Sequence, residues 1–580
     1  MYFHWFTFHS VLLSSIYHNP SEFFRFWGGK VAPILFLSSF VFLTKRHWWT
    51  VFLNIIVDIW IISNVFYFKA NGFFLSYESI KLIDNMSGFW DSLYSYMSLD
   101  MLLYPFLTIV FSIIIYHSKS AQKTRPLLFC IFMTCSLVVS FIDTILYREF
   151  EKTWNGSGVG KEIGETMLAG EQYHYFFPFA HVYFFARVET CTDYNAWSKL
   201  YVKEQSVVSF FPAMLIYNIL SPSGDIIDLT TEQEEKIAQR INTTSKVCTP
   251  SNNVVFILFE SLESWALHDV VGYNYMPYLS NIINRDNVLY CDKIKPQVAH
   301  ANSADGQLID VTGLLPITDG ATCRLYGANK YPSYAECFNY SAIVNPAKGM
   351  WNQEIVTYNY QFKELIEPIN GSEWGGDKGL LDNMFNYIDS VGEPFCVLGI
   401  TVSSHVPFTR GETHPKHIID GMPPIMSAYL NCLSYTDSLI GVFIDKVKET
   451  DKYSNTTFVI SGDHTILRSE NKDIDNFAKD NRIDMQTTKT YTPLIILSPL
   501  IKGNITINEP CYQMDIYPTI LSLIKCDNYY WRGLGVNLLK IEALTNRQII
   551  EQDAMKLSDL IIRSNYFERY YTHVSADSLQ

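Results

Sequence analysis

Val254-Val255-Phe256-Ile257-Leu258-Phe259-Glu260-Ser261 is an unbroken apolar run that ends on an acid and a hydroxyl. The run has the length of a strand, and continuous rather than alternating apolarity marks a strand buried on both faces. Two later runs share this pattern: Phe395–Val402 leads into Ser403-Ser404-His405, and Thr457–Ile460 into Ser461-Gly462-Asp463-His464. Helical patterns at Leu380–Asp389 and Ala428–Lys448 lie between these runs. The alternation predicts an α/β domain with a mostly parallel sheet and helices on both faces.

Open sheets of this class hold ligands beyond the carboxyl ends of their strands, so Glu260, His405, Asp463 and His464 should meet at one edge. A fourth polar element, Ala301-Asn302-Ser303-Ala304-Asp305-Gly306-Gln307, precedes the helix-like run Leu308–Leu315. Singly, each residue has an ordinary reading. Glu260 suits a strand-to-helix junction, Ser303 a helix cap, Asp463-His464 a turn and His405 a hydrogen-bonded loop. Together they read as chemistry. A serine hydroxyl is a weak nucleophile at neutral pH, and no His-Asp pair stands out as its base, which leaves a divalent cation as the natural activator. Glu260, Ser303, Asp463 and His464 would offer oxygens and one nitrogen, a set suited to manganese or zinc, with magnesium also open.

Outward from this core the texture changes. The 580 residues are 48% hydrophobic and 15% aromatic, yet mean hydropathy is only +0.05, as expected when a very apolar part is joined to an ordinary soluble one. Apolar stretches at about Trp27–Thr44, Trp48–Phe68, Met101–Tyr116 and Pro126–Tyr147 predict membrane spans, with Tyr2–Tyr17 as a weaker fifth. Lys45 and Arg46 in one connection, and Lys119, Lys123 and Arg125 in another, would both be cytoplasmic, which puts everything from Arg148 onward outside. Asp58 and Asp143 fall inside predicted spans, where we read them as facing the bundle interior rather than as a transport path. The expected organisation is a transmembrane domain over 1–147, an extracytoplasmic connector over 148–247, a catalytic domain over 248–545 and a C-terminal tail over 546–580.

The net charge of −14 and the lack of long Lys/Arg runs exclude a nucleic-acid binder. Eleven cysteines without a CxxC pair support neither a zinc ribbon nor a dense disulfide framework.

At these residues the chain resembles the alkaline phosphatase and sulfatase superfamily, and within it the lipoteichoic acid synthase-like membrane phosphoglycerol transferases. The motifs are Phe259-Glu260-Ser261, Ser303-Ala304-Asp305, Trp351-Asn352, Ser404-His405-Val406-Pro407-Phe408 and Gly462-Asp463-His464. Thr492-Pro493-Leu494-Ile495, Asp515-Ile516-Tyr517-Pro518-Thr519 and Trp531-Arg532-Gly533 look like the family's closing strand and helix. The resemblance implies Glu260, Asp463 and His464 as metal ligands and Ser303 as metal-bound nucleophile. It also implies His405 at the transferred phosphate or leaving group, and Trp351 and Asn352 in the substrate pocket.

Two departures bear on substrate. Gln353 stands where the phosphoglycerol transferases usually have arginine, so a phosphate-gripping guanidinium is missing; Lys348 and Arg410 are the candidates to replace it. After Ser303 the chain lacks the proline and arginine that sulfatases proper need, which disfavours sulfatase activity.

The resemblance therefore implies transfer of a phosphorylated, phosphoglycerol-like head group from a membrane phospholipid donor to a glycan or lipid acceptor. The reaction would run through a covalent Ser303 intermediate, on the outer side of a bacterial cytoplasmic membrane that the chain crosses several times. A phosphoethanolamine transferase, a phosphodiesterase or sulfuric-ester-type hydrolase of the same superfamily, and a non-enzymatic membrane scaffold or sensor are the alternatives.

Overall fold

The computed structural model describes the helices between residues 27 and 154, a hairpin at 172–185, scattered positions from 202 to 215, and most of 224–570. Within that last part, 225, 242–247, 318–319, 347–349, 369–375, 407, 409–415, 466–471, 485–490 and 541–546 are not described. The chain divides into two units, Met1–Ser223 and Gly224–Gln580.

In the first unit all four stronger predicted spans are helical: α1 (Trp27–Phe40), α2 (His47–Asn71), α3 (Leu103–His117) and α4 (Pro126–Trp154). Only the stretch Trp48–Phe68 of α2, with mean hydropathy 1.9 over 21 residues, is long and apolar enough among the described residues to cross a membrane by itself. Lys30–Leu43, Tyr104–Ile114 and Pro126–Val139 are shorter apolar helices. Phe52, Ile55, Ile56 and Ile59 of α2 and Phe106, Ile109 and Ile113 of α3 are exposed, an apolar surface matched to lipid rather than to water. Asp58 is buried and accepts a hydrogen bond from Thr108 Oγ1, as an interior-facing acid should. Tyr2–Tyr17 and the basic residues Lys45, Arg46, Lys119 and Lys123 lie outside the described residues. Part of the expected connector forms an antiparallel hairpin, β1 (Gln172–Phe177) with β2 (Ala180–Phe185).

The second unit is built on a nine-stranded sheet. Its strands are β3 (Asn253–Phe259), β4 (Val288–Lys295), β5 (Tyr340–Val344), β6 (Glu364–Ile366), β7 (Phe395–Ile400), β8 (Thr456–Gly462), β9 (Thr492–Leu497), β10 (Asn504–Ile507) and β11 (Cys511–Tyr512). They run in the order β10-β4-β9-β8-β3-β7-β5-β6, with β11 also on β4. Every pairing is parallel except the two made by β9, which runs against both β4 and β8. The sheet is thus mostly parallel, as expected, and is made mixed by the one reversed strand, β9. The reversal brings the start of β9 to the end of β8, where Ser461 pairs with Leu494.

Val255, Ile257 and Phe259 face a core shared with α5 (Asp377–Ser390) and α6 (Pro424–Lys448) through Leu380, Met384, Tyr429, Leu433 and Ile440. The alternate residues Val254, Phe256 and Leu258 point to the other face and are just as buried, which explains the continuous apolar run. The stretch expected as a tail contributes a helix, Arg547–Ser564, whose Ser558 Oγ accepts from Leu315 N at 2.9 Å.

Gly462, the last residue of β8, leaves no room for a side chain: a Cβ there would stand 2.3 Å from Leu262 O and 2.9 Å from Thr492 Cβ. Gly462→Ala is expected to destabilise the second unit by about 1–3 kcal/mol through overpacking, read as a lowered thermal midpoint.

Candidate metal and nucleophile site

The register of the central strands builds the site. β3 and β8 pair from Asn253↔Thr456 to Phe259↔Gly462, so Glu260 and Asp463 leave the sheet side by side. Asp463 N donates to Phe259 O at 3.2 Å and continues the ladder one step past the strand ends. On the other flank Glu260 N donates to Thr401 Oγ1 at 2.8 Å, while Ser404 Oγ donates to Glu260 O at 2.6 Å. The chain then turns through Ser261 at φ 56°, a left-handed conformation uncommon outside glycine. Tyr429 Oη holds that turn by donating to Ser261 O at 2.7 Å.

Glu260, Asp463 and His464 each offer a ligand atom, all within 4.8 Å of one another and all buried. Ser303 joins them: its Oγ donates to Glu260 Oε2 at 3.0 Å and lies 3.3 Å from His464 Nε2. His464 Nε2 is in turn 3.4 Å from Glu260 Oε1 and 3.5 Å from Asp463 Oδ2. Asp463 Oδ1 accepts from the backbone N–H groups of Ser261 and His464, both at 2.7 Å, whereas the buried Oδ2 accepts no hydrogen bond. The four residues predicted to hold a metal therefore share one space.

The electrostatics of that space favour a cation. Burial, and then the charge of Glu260, push the Asp463 carboxyl up to about 7. Burial also pushes Glu260 upward, but the charge and hydrogen bond of His464, the charge of His405 and the Ser261 hydroxyl together bring it down to about 2. Two buried carboxylates compete for one positive partner, and a divalent ion would let both stay ionised. An orphaned carboxylate oxygen, a second carboxylate, an imidazole nitrogen and a hydroxyl form a donor set that fits such an ion.

Ser303 opens α7 (Ser303–Thr312), and its hydroxyl faces Glu260 rather than capping the helix. The residue before it, Asn302, takes φ 40°. Asp305 Oδ2 ties down the approach by accepting from Ala299 N and Ala301 N, both at 2.9 Å. The helix N-terminus supplies a partial positive charge where an anion would bind. Because α7 passes close to the loop at Asp463, a Cβ on Gly306 would come 2.9 Å from Asp463 O.

His405 lies near enough for its charge to act on Glu260, and its Nδ1 bonds Val406 O at 2.7 Å, which fixes the proton on Nδ1. Trp351 and Asn352 are half-buried and both left-handed, at φ 52° and 61°. The Asn352 amide donates to Cys323 O at 2.9 Å. Lys348 and Arg410 lie outside the described residues. Gln353 is 1% exposed: its Nε2 donates to Gln307 Oε1 at 2.6 Å, and its Oε1 accepts from Thr357 Oγ1 at 3.1 Å.

Sequence reading gave no role to Asp377, whose Oδ1 accepts from Val402 N at 2.6 Å and Ser403 N at 3.1 Å and so shapes the loop that carries His405. It gave none to Asp305 or Gln513 either. Asp305 stands in the Ser303-Ala304-Asp305 motif without a role of its own, whereas Asp377 and Gln513 are scattered and carry no spacing signal.

A family model described as Sulfatase matches residues 327–526. The lipoteichoic acid synthase-like YvgJ of Bacillus subtilis is 25% identical over 292 residues, 47% of each chain. Lipoteichoic acid synthase 1 of the same organism is 20% identical over 506 residues, 82% of this chain and 73% of that one. The chain spans about half the length of the first two curated relatives it matches, 47% and 48%. Among solved structures, the lipoteichoic acid synthase LtaP of Listeria monocytogenes is 19% identical with a TM-score of 0.43, covering 51% of this chain and 80% of its own. The phosphoglycerol transferase GacH of Streptococcus pyogenes is 17% identical with a TM-score of 0.42, covering 60% and 98%. By these matches the chain is similar to the sulfatase family over residues 327–526 and to the lipoteichoic acid synthases of Bacillus subtilis over a longer stretch.

Proposed function

We propose that this protein transfers a phosphorylated, phosphoglycerol-like head group from a membrane phospholipid to a glycan or lipid acceptor outside the cytoplasm, by way of a covalent intermediate on Ser303. The observation that carries this reading is the convergence of Ser303 Oγ with Glu260, Asp463 and His464 at the N-terminus of α7. The apolar helices of the first unit support membrane anchorage, with several spans read from α1 to α4 together. A lipid donor would then reach the site from the plane of the bilayer.

Glu260, Ser303, Asp463 and His464 would hold one divalent cation, manganese, zinc or magnesium. When bound, it would ease loss of the Ser303 proton to solvent, so that Ser303 enters and leaves the reaction as the same oxyanion, and it would offset phosphate charge. Ser303 Oγ forms the new bond to phosphorus while the bond from phosphorus to the lipid glycerol oxygen breaks. With Nδ1 committed to Val406 O, His405 exchanges a proton through Nε2 and gives it to that leaving oxygen. The acceptor hydroxyl returns a proton to His405, bonds to phosphorus and displaces Ser303. Trp351 and Asn352 line the head-group side of the pocket, and Lys348 and Arg410 remain the candidates for a second phosphate contact.

Gln353 sharpens the substrate question. Its carboxamide is spent on Gln307 and Thr357, so it stands in a neutral packing role and offers no cation to the substrate. Grip on the phosphate would then fall to a bound cation and the α7 N-terminus, with Lys348 or Arg410 as the further contact, an arrangement that also accommodates a phosphoethanolamine head group.

Ser303→Ala should lower transfer from a head-group-labelled phospholipid by more than about 1000-fold while the protein still folds. Release of only free head group in excess acceptor would instead identify a hydrolase. Gly306→Ala should reduce metal affinity by pressing on Asp463, although alanine favours the helix by about 1 kcal/mol. A manganese titration paired with a melting curve checks both effects.

A further inference from the structure

Gln513 opens the short turn Gln513–Asp515 and has no exposed surface. Its carboxamide reaches three segments of the site. Nε2 donates to Asp463 O at 3.2 Å and lies 3.5 Å from Asp310 Oδ2 on α7, while Oε1 accepts from Gln297 N at 3.2 Å. Gln297 returns the contact, its Oε1 accepting from Met514 N at 3.1 Å. Gln297 leads directly into the 299–301 approach that Asp305 holds ahead of Ser303. One side chain thus spans the metal loop, the nucleophile helix and the segment feeding that helix.

We propose that Gln513 is a positioning residue that sets Asp463 against the Ser303 helix. The inference rests on the reading of Asp463 as a metal ligand. Asp463 is tied on the sheet side, where its N–H donates to Phe259 O. Its carbonyl is tied on the far side by Gln513, so the residue is fixed at both ends of its backbone. A carboxamide donates from one end and accepts at the other without charge, and Gln513 uses both. A methionine would fill the volume and lose both bonds. A glutamate would keep the acceptor toward Gln297 and lose the donor toward Asp463. Removing such a support from a ligand-bearing segment characteristically lowers metal affinity about 10–100-fold.

The test is a manganese titration of the full chain in detergent, stripped of metal, with calorimetric or paramagnetic readout and a melting curve for each variant. Asp463→Ala comes first. If it binds manganese like the unaltered protein, the metal-ligand reading fails and this inference with it. If it loses binding, Gln513→Met and Gln513→Glu should each weaken manganese affinity by about 10–100-fold in folded protein. Unchanged manganese affinity in both, whatever happens to the melting temperature, would overturn the assignment. Should Gln513→Met not fold, Gln513→Glu carries the comparison alone, because it retains the bond to Gln297.

Discussion

The parallel pairing of β3 with β8, locked at Phe259↔Gly462, is the constraint on which the site depends. A slip of one residue would turn the side chains beyond the strand ends to opposite faces and separate Glu260 from Asp463. Both strands are buried on both faces, so a slip would also misplace every apolar side chain between them. Gly462 reinforces the register, because the carbonyl of Leu262 and the start of β9 press on it where a Cβ would be. The apolar core therefore fixes the spacing of two carboxylates.

The site is held in an arrangement that costs free energy in the absence of a cation. Glu260 and Asp463 are buried together, and Asp463 Oδ2 accepts no hydrogen bond. Ser261 and Asn302 both adopt positive φ, at the two points where the chain turns to present Glu260 and Ser303. Surrounding bonds hold these turns in place: Tyr429 on Ser261 O, Thr401 on Glu260 N, and Asp305 on the loop before Ser303. Strain and unpaired polar atoms persist where the framework over-determines them, and they cluster where chemistry is done.

Gln353 shows how a departure from a family pattern acquires physical content. In sequence it is only an arginine lost. In the structure it is half of an amide pair with Gln307, which lies on the helix that begins at Ser303. The pair joins the left-handed Trp351-Asn352 turn to that helix without placing a charge in the interior. Gln353 therefore braces that turn against α7 through neutral hydrogen bonds.

The amino-acid sequence by itself determined the α/β class, the three apolar runs that form β3, β7 and β8, although it ended the last two at Val402 and Ile460 rather than at Ile400 and Gly462, the helices α1 to α4, and Glu260, Ser303, Asp463 and His464 as a set. Apolar runs of strand length and polar residues at their ends are local signals, readable without neighbours. The reversed strand β9 was not legible, since strand direction depends on which edge the returning chain meets. Nor were the roles of Asp377 and Gln513, which are ordinary polar residues until folding buries them and turns their oxygens and amides toward particular backbone groups. Only the tertiary structure decided those partnerships, because a hydrogen bond between segments up to hundreds of residues apart leaves no periodicity in the chain.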